Sequence, residues 1–245
     1  MKKIVFFTIV IILHSSGLLW AENALIKANL SEWLVPLREA IYEQKLKADE
    51  IKPIYIEALA ASREKCSGTA LDLALSRCEY LMGRAFQFEK RNDEAFVHYS
   101  EGMRLAESVT KTAPGDEAWV LLTESLSQSC AIRSVAYAMA NGLNVDKYAK
   151  NALAINNRNA AAQYIVAARW IFAPSPFSNH KRGIEMMKEI FDNGDMDKDD
   201  LFNVYSAIGY GYIQQKKYDE AQPWLMKSLE IYPTNQYAAE LLGAK

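Results

Sequence analysis

The chain is poor in the residues that turn a backbone sharply, with 7 prolines and 11 glycines among 245 positions. A sandwich or barrel of short strands needs many such turns, so their scarcity excludes that class and leaves long helices joined by short connections. Histidine is scarcer still, at 3, and only His98 and His180 lie beyond the N-terminal segment. No HExxH, paired CxxC, GxSxG or glycine-rich phosphate loop occurs, which removes the usual parts of zinc-dependent and nucleophilic hydrolysis. His98, beside Tyr99 in a helical stretch, reads as a packed or surface residue. No catalytic residue, metal ligand or cofactor is assigned, and a non-enzymatic role is expected. Positive charge is not in surplus either: 28 basic residues stand against 30 acidic ones. Without a basic stripe to release counterions, nucleic acid is excluded as the expected partner. Cysteine is limited to Cys66, Cys78 and Cys130, an odd number that leaves at least one thiol unpaired within the chain. A Cys66–Cys78 bridge would close a short loop, but spacing alone does not fix a Cα distance, so bridged and free forms both remain open. Cys130, in a stretch of low charge, reads as a buried inert thiol.

Half of the residues are apolar and 24% are charged, a globular composition. The first 21 residues stand apart. A basic head, Met1-Lys2-Lys3, precedes an apolar run from Ile4 to Leu13, and a cut after Ala21 fits the flanking residues. This is the anatomy of an export signal, and the run is short of the roughly 20 residues that span a bilayer. The expected location is therefore exported, in the periplasm, with an uncleaved membrane anchor as the alternative. Any membrane association would run through this segment alone. Removing it takes Lys2 and Lys3 and leaves 26 basic against 30 acidic residues, a formal charge of −4.

From Leu30 onward, apolar residues recur at three- and four-residue intervals, the helical period. Helices are predicted over 31–45, 49–65, 71–90, 93–112, 116–140, 145–156, 159–173, 180–192, 198–215, 218–231 and 235–243. Asn141-Gly142 and Asn193-Gly194 supply left-handed stops, and Pro114-Gly115 and Pro233 cannot continue a helix. Asp93, Asp116, Asp146 and Asp219 supply carboxylates for helix starts.

Two of the predicted hairpins superpose when shifted by 126 residues. Tyr205, Ile208-Gly209, Tyr212, Ala221, Leu225 and Pro233 follow the pattern W-x₂-L-G-x₂-Y…A-x₃-F…P, and Met82-Gly83, Phe86, Ala95 and Tyr99 follow it one copy earlier. The chain resembles the tetratricopeptide repeat family on these residues. The glycines and alanines stand where two helices cross closely, while Tyr212, Leu225, Phe86 and Tyr99 fill the groove. Weaker copies are placed at 126–157 and 160–195, beside the strong ones at 76–109 and 202–235. The second weak copy carries Val166-Ala167 and Trp170, and its turn over 172–179 is lengthened. The expected fold is all-α: residues 22–245 form one domain, a compact, irregular solenoid of about four such hairpins with capping helices at 31–65 and 235–243.

The resemblance implies a concave face lined by positions 2, 5, 9, 12 and 13 of each first helix. In the earlier strong copy these are Arg77, Tyr80, Arg84, Gln87 and Phe88. In the last copy they are Asn203, Ser206, Tyr210, Ile213 and Gln214, and the 160–195 copy contributes Tyr164, Ala161, Ala168, Ile171 and Phe172. Arginine, tyrosine and glutamine among apolar neighbours suit a clamp on an extended chain. The expected function is a non-catalytic scaffold that binds a protein or peptide partner. The signal, an Ala-rich helix and the Pro174–Phe177 insertion also resemble the accessory proteins of TRAP-type transporters, which implies a periplasmic solute-binding protein as partner and homo-oligomers. The alternative is a small-molecule or lipid carrier with Tyr164, Trp170, Phe172 and Phe177 around an apolar pocket. Arg133 and Arg169, isolated charges on apolar helices, are expected to be paired internally, Arg133 with Glu124. The run Asp195-x-Asp197-x-Asp199 opens like a calcium loop but lacks its glycine and final glutamate, so it is read as a solvated turn that caps the next helix.

Overall fold

A computed structural model describes residues 31–244; the expected export signal lies outside the described residues. Among these residues the chain forms eleven α-helices, and its one extended pairing is an isolated bridge between Asn159 and Asp195. A 3-10 turn, Glu32–Leu34, leads into α1 (Val35–Glu43) and α2 (Ala48–Lys65). Then follow α3 (Gly68–Phe88) with α4 (Asn92–Thr112), α5 (Asp116–Ile132) with α6 (Val135–Ile155), and α7 (Ala160–Phe172) with α8 (His180–Asn193). The pair α9 (Lys198–Gln214) and α10 (Tyr218–Ile231) and the cap α11 (Gln236–Gly243) complete the chain. Each helix packs on its successor, the arrangement of stacked hairpins.

Local chemistry places the boundaries. Ser134, Asn159, Asn179 and Asn235 each accept a hydrogen bond from a backbone N–H in the first turn of the helix that follows, filling donors a helix start leaves unpaired. Asp197 accepts from the N–H groups of Asp199 and Asp200, and Asp200 returns a bond to the N–H of Asp197, closing a capping box at the start of α9.

The two strong copies fold alike down to their turns. A Cβ on Gly83 would stand 2.5 Å from Cε1 of Tyr99, and one on Gly209 would stand 2.6 Å from Cδ2 of Leu225. Each hairpin therefore closes on a large side chain seated over a glycine of the facing helix. Lys90 and Lys216, again 126 residues apart, turn the chain with positive φ, at 61° and 60°. In the α7–α8 hairpin the small residue is on the second helix: a Cβ on Gly183 would meet Cγ1 of Ile171 at 2.4 Å.

One predicted boundary is overturned. The break expected at Asn141-Gly142 falls at Arg133-Ser134 instead, so 116–140 and 145–156 become α5 and an unbroken α6. Arg133 is extended and Ser134 caps α6, while Asn141 donates to the carbonyl of Tyr137 at 2.9 Å and stays helical. Asp146 consequently sits inside α6, and the hairpin here spans 116–155, out of register with a copy framed at 126–157. A turn dipeptide loses to helix continuity when neither residue has a partner that rewards stopping. Nothing lies within 4 Å of a Cβ built on Gly142. G142A is therefore expected to raise stability by roughly 0.5–1 kcal/mol in urea unfolding; a loss would return Gly142 to a left-handed turn.

The two ends of the array meet. Thr234 donates to the carbonyl of Glu43 and Asn235 to that of Tyr42, both at 2.7 Å, and the backbone N–H of Gln236 donates to Gln44 Oε1 at 2.7 Å. Tyr42 stacks on Tyr232 with centroids 5.0 Å apart and meets the edge of Phe202 at 5.5 Å. Lys198 and Glu39 add an ion pair at 2.6 Å. The expected caps at 31–65 and 235–243 thus touch each other, and the solenoid closes into a ring. All three cysteines are free thiols; burial pushes that of Cys78 up to about 12.

Candidate functional site

Closing the ring turns the concave face into a lumen. The first helices α3, α5, α7 and α9 form its wall, and α11 and the α1–α2 loop contribute to its lining, around a cavity of about 970 Å³. Of the residues expected on this face, Tyr80, Arg84, Gln87, Phe88, Ala161, Tyr164, Ala168, Phe172, Asn203 and Ser206 line the cavity. Arg77 lines an adjoining cavity of about 370 Å³. Ile171, Tyr210, Ile213 and Gln214 line neither. Tyr210 is stacked on Phe172, centroids 5.1 Å apart, and Gln214, past the reach of the lumen at the end of α9, is exposed. Trp170 and Phe177 do not line it either: Trp170 lies between the guanidinium groups of Arg169 and Arg182, at 4.4 and 4.1 Å, and Phe177 is exposed on the turn.

The side chains divide into those already engaged and those left open. Arg77 donates to Glu124 at 2.6 Å, so its role is to pair with α5. Gln87 donates to Gln128 at 3.0 Å and accepts from Tyr99, and Asn203 donates to Tyr42 at 3.3 Å. Arg84 is different. One of its N–H groups reaches Tyr80 at 3.0 Å, and its guanidinium lies over the rings of Phe88 at 5.0 Å and Tyr42 at 5.8 Å. It makes no ion pair with any described residue. Burial opposes its charge, yet the surrounding tyrosines hold its pKa above the ordinary arginine value, so the wall carries a permanent cation. The hydroxyl of Ser206, 3% exposed, has no hydrogen-bond partner among the described residues.

The wall of α5 was missed in the sequence. Trp119, Leu122, Thr123 and Leu126 repeat W-x₂-L-G-x₂-Y with threonine for glycine, a copy starting at 116 that the absence of glycine hid. Positions 2, 5, 9, 12 and 13 of that copy are Glu117, Val120, Glu124, Ser127 and Gln128, and every one lines a cavity. The isolated arginines are paired internally, with one change of partner. Arg169 meets Asp146 at 2.9 Å, while Arg133 meets Asp93, also at 2.9 Å, instead of Glu124.

The smaller cavity gathers the acidic run. It is not a solvated turn. Asp199 accepts from Tyr232 at 2.7 Å and approaches Arg38 at 3.5 Å, with its side chain 19% exposed. Burial, reinforced by Asp197, pushes Asp199 up to about 7. Asp116 accepts from Asn156 and Asn159 at 2.8 and 2.9 Å, and Asp195 is held by Arg158 at 2.9 Å. Asp199 ties α9 to α1 and to the end of α10, Asp116 ties the start of α5 to the α6–α7 turn, and Asp195 ties the α8–α9 turn to that same turn; among the described residues no group of three is placed to hold a metal ion.

No family model matches this sequence, and no curated protein matches it. Among solved structures, the chain is similar to the crystal structure of YrrB, described as a TPR protein with an unusual peptide-binding site. The two share 13% identity over 92% of this chain and 96% of that one, with a TM-score of 0.36. So distant a likeness adds nothing to the hairpin geometry above. The fold is read from the helices themselves: an all-α array of hairpins, two of which close a glycine of the first helix against a large side chain of the second.

Proposed function

We propose that the chain is an exported, non-catalytic scaffold whose lumen holds a segment of a protein partner. The observation that carries this reading is convergence: binding-face positions from four first helices, spread over more than half the chain, border one cavity with aromatic rings, amides and an unpaired guanidinium. Aromatic and arginine side chains in a desolvated pocket are the usual anchors of a protein interface. Export rests on the N-terminal segment, and the exported compartment makes a solute-binding protein the partner to test first.

The test fills the lumen from its wall, at a residue on the edge of the core shared by α7, α8 and α9. Ala168 faces the cavity from α7, and A168W places an indole there. In pull-downs from the cell envelope, a solute-binding protein that accompanies the unaltered chain is expected to disappear with A168W, provided its helical circular dichroism is unchanged. The same partner retained by a folded A168W would place the contact elsewhere. A small-molecule carrier is the second reading, favoured by ring closure, because a closed wall surrounds a compact ligand more completely than an open groove does.

A further inference from the structure

From the same lumen we infer a ligand of definite chemistry: a monocarboxylate with a long apolar body, its head on Arg84 and its body along Phe88, Tyr164, Ile165 and Phe172. This rests on the second reading above, that of a small-molecule carrier, and deepens it by naming the ligand's chemistry.

The charges on the wall lead to it. Glu124 is engaged by Arg77 at 2.6 Å, and Asp200 accepts from the backbone N–H of Asp197 at 3.1 Å. Lys45, Lys47 and Lys90 border the cavity from loops, exposed to water. Arg84 alone is half-buried against the wall and lacks a carboxylate partner among the described residues. A half-buried guanidinium that donates once, to a tyrosine hydroxyl, keeps most of its hydrogen-bonding capacity for something absent from the chain, and its planar fork matches a carboxylate. Ser206, buried and without a partner, adds a hydroxyl on the α9 side of the same cavity. Two further carboxylates, Glu89 and Glu240, border the cavity exposed to water, and the rings and aliphatic groups between the polar side chains cover an alkyl or aryl chain well. The volume, about 970 Å³, exceeds that of a fatty acid and lies at the upper end of small-ligand sites.

The probe is dodecanoate below its micelle concentration, titrated calorimetrically into the chain purified in the form its own cell makes, with dodecyltrimethylammonium as the cationic control. Dodecanoate is expected to bind one per chain and the ammonium compound not to bind. R84Q is expected to weaken dodecanoate about 10- to 100-fold, the worth of a charge-assisted hydrogen bond, with R84K falling between. A168W, which blocks the cavity and leaves Arg84 in place, is expected to abolish binding. Circular dichroism and thermal midpoints confirm that each variant is folded. Absence of dodecanoate binding, equal binding of the ammonium compound, or an R84Q affinity equal to that of the unaltered chain overturns the inference. If A168W still releases the protein partner while dodecanoate fails to bind, the inference falls and the scaffold reading stands.

Discussion

Replacing Glu124 with alanine is expected to lower stability by about 3–5 kcal/mol in urea unfolding, one of the largest single-residue effects in the chain. Glu124 and Arg77 face each other across α5 and α3 at 2.6 Å, with side chains 15% and 20% exposed, so solvent screens the pair little. Burial raises the pKa of Glu124 in spite of the cation beside it, while Glu124 and its neighbours hold Arg77 above the ordinary arginine value in spite of burial, so desolvation and attraction largely offset each other in the pair. A pair in that condition adds little net stability, yet removing one member strands the other without its counter-charge. The double variant R77M/E124M tests the distinction. It is expected to be more stable than E124A, because neither charge remains to be stranded. A double variant that loses the full sum of both single losses would mean the two residues act independently.

Introducing a side chain at Gly83 brings the second large loss. In G83A the new methyl lies 2.5 and 2.7 Å from Cε1 and Cδ1 of Tyr99. The ring is wholly buried, and its hydroxyl donates to Gln87, so it cannot swing aside. Alanine gains roughly 1 kcal/mol of helix propensity over glycine, whereas overpacking costs about 1–3 kcal/mol and occasionally more. The expected net loss is up to about 2 kcal/mol for G83A, rising to about 3 kcal/mol or more for G83V. The same sign is expected at Gly209 against Leu225, a buried branched side chain at 2.6 Å. Combining G83A with Y99L tests the contact itself. Removing the ring should cancel most of the alanine's cost, giving a coupling of 0.5 kcal/mol or more, and strict additivity would deny that the two residues touch.

Hairpin packing was legible in the sequence because it depends on residues with one strong physical role each. Gly83 and Gly209 are small where helices cross, and two of the four residues expected to fill that groove, Tyr99 and Leu225, seat against them. Ten of the fifteen residues expected on the binding face line the lumen for the same reason: helical period fixes which side of α3, α7 and α9 they share. The third hairpin was misread because Asn141-Gly142 carries a strong local stop signal and Ser134 a weak one, while Thr123 stands where a glycine would have marked the copy. Closure of the ring was not legible. It depends on Tyr42, Tyr232, Asn235 and Gln44, residues that meet across nearly the whole chain and follow no repeat. The unpaired state of Arg84 also needed coordinates, since an arginine among tyrosines in sequence does not reveal which carboxylates stay away.

Ring closure underlies both the lumen and its ligand, and a single distance tests it. With the native cysteines replaced by alanine, spin labels at Lys45→Cys and Ala239→Cys report on the α1–α2 loop and on α11 by double electron–electron resonance. A closed ring gives one narrow distribution within about two helix diameters, ~20–25 Å. An open stack of hairpins, with successive helices 8–10 Å apart, gives a broad distribution at ~40 Å or more and leaves the concave face an unwalled groove.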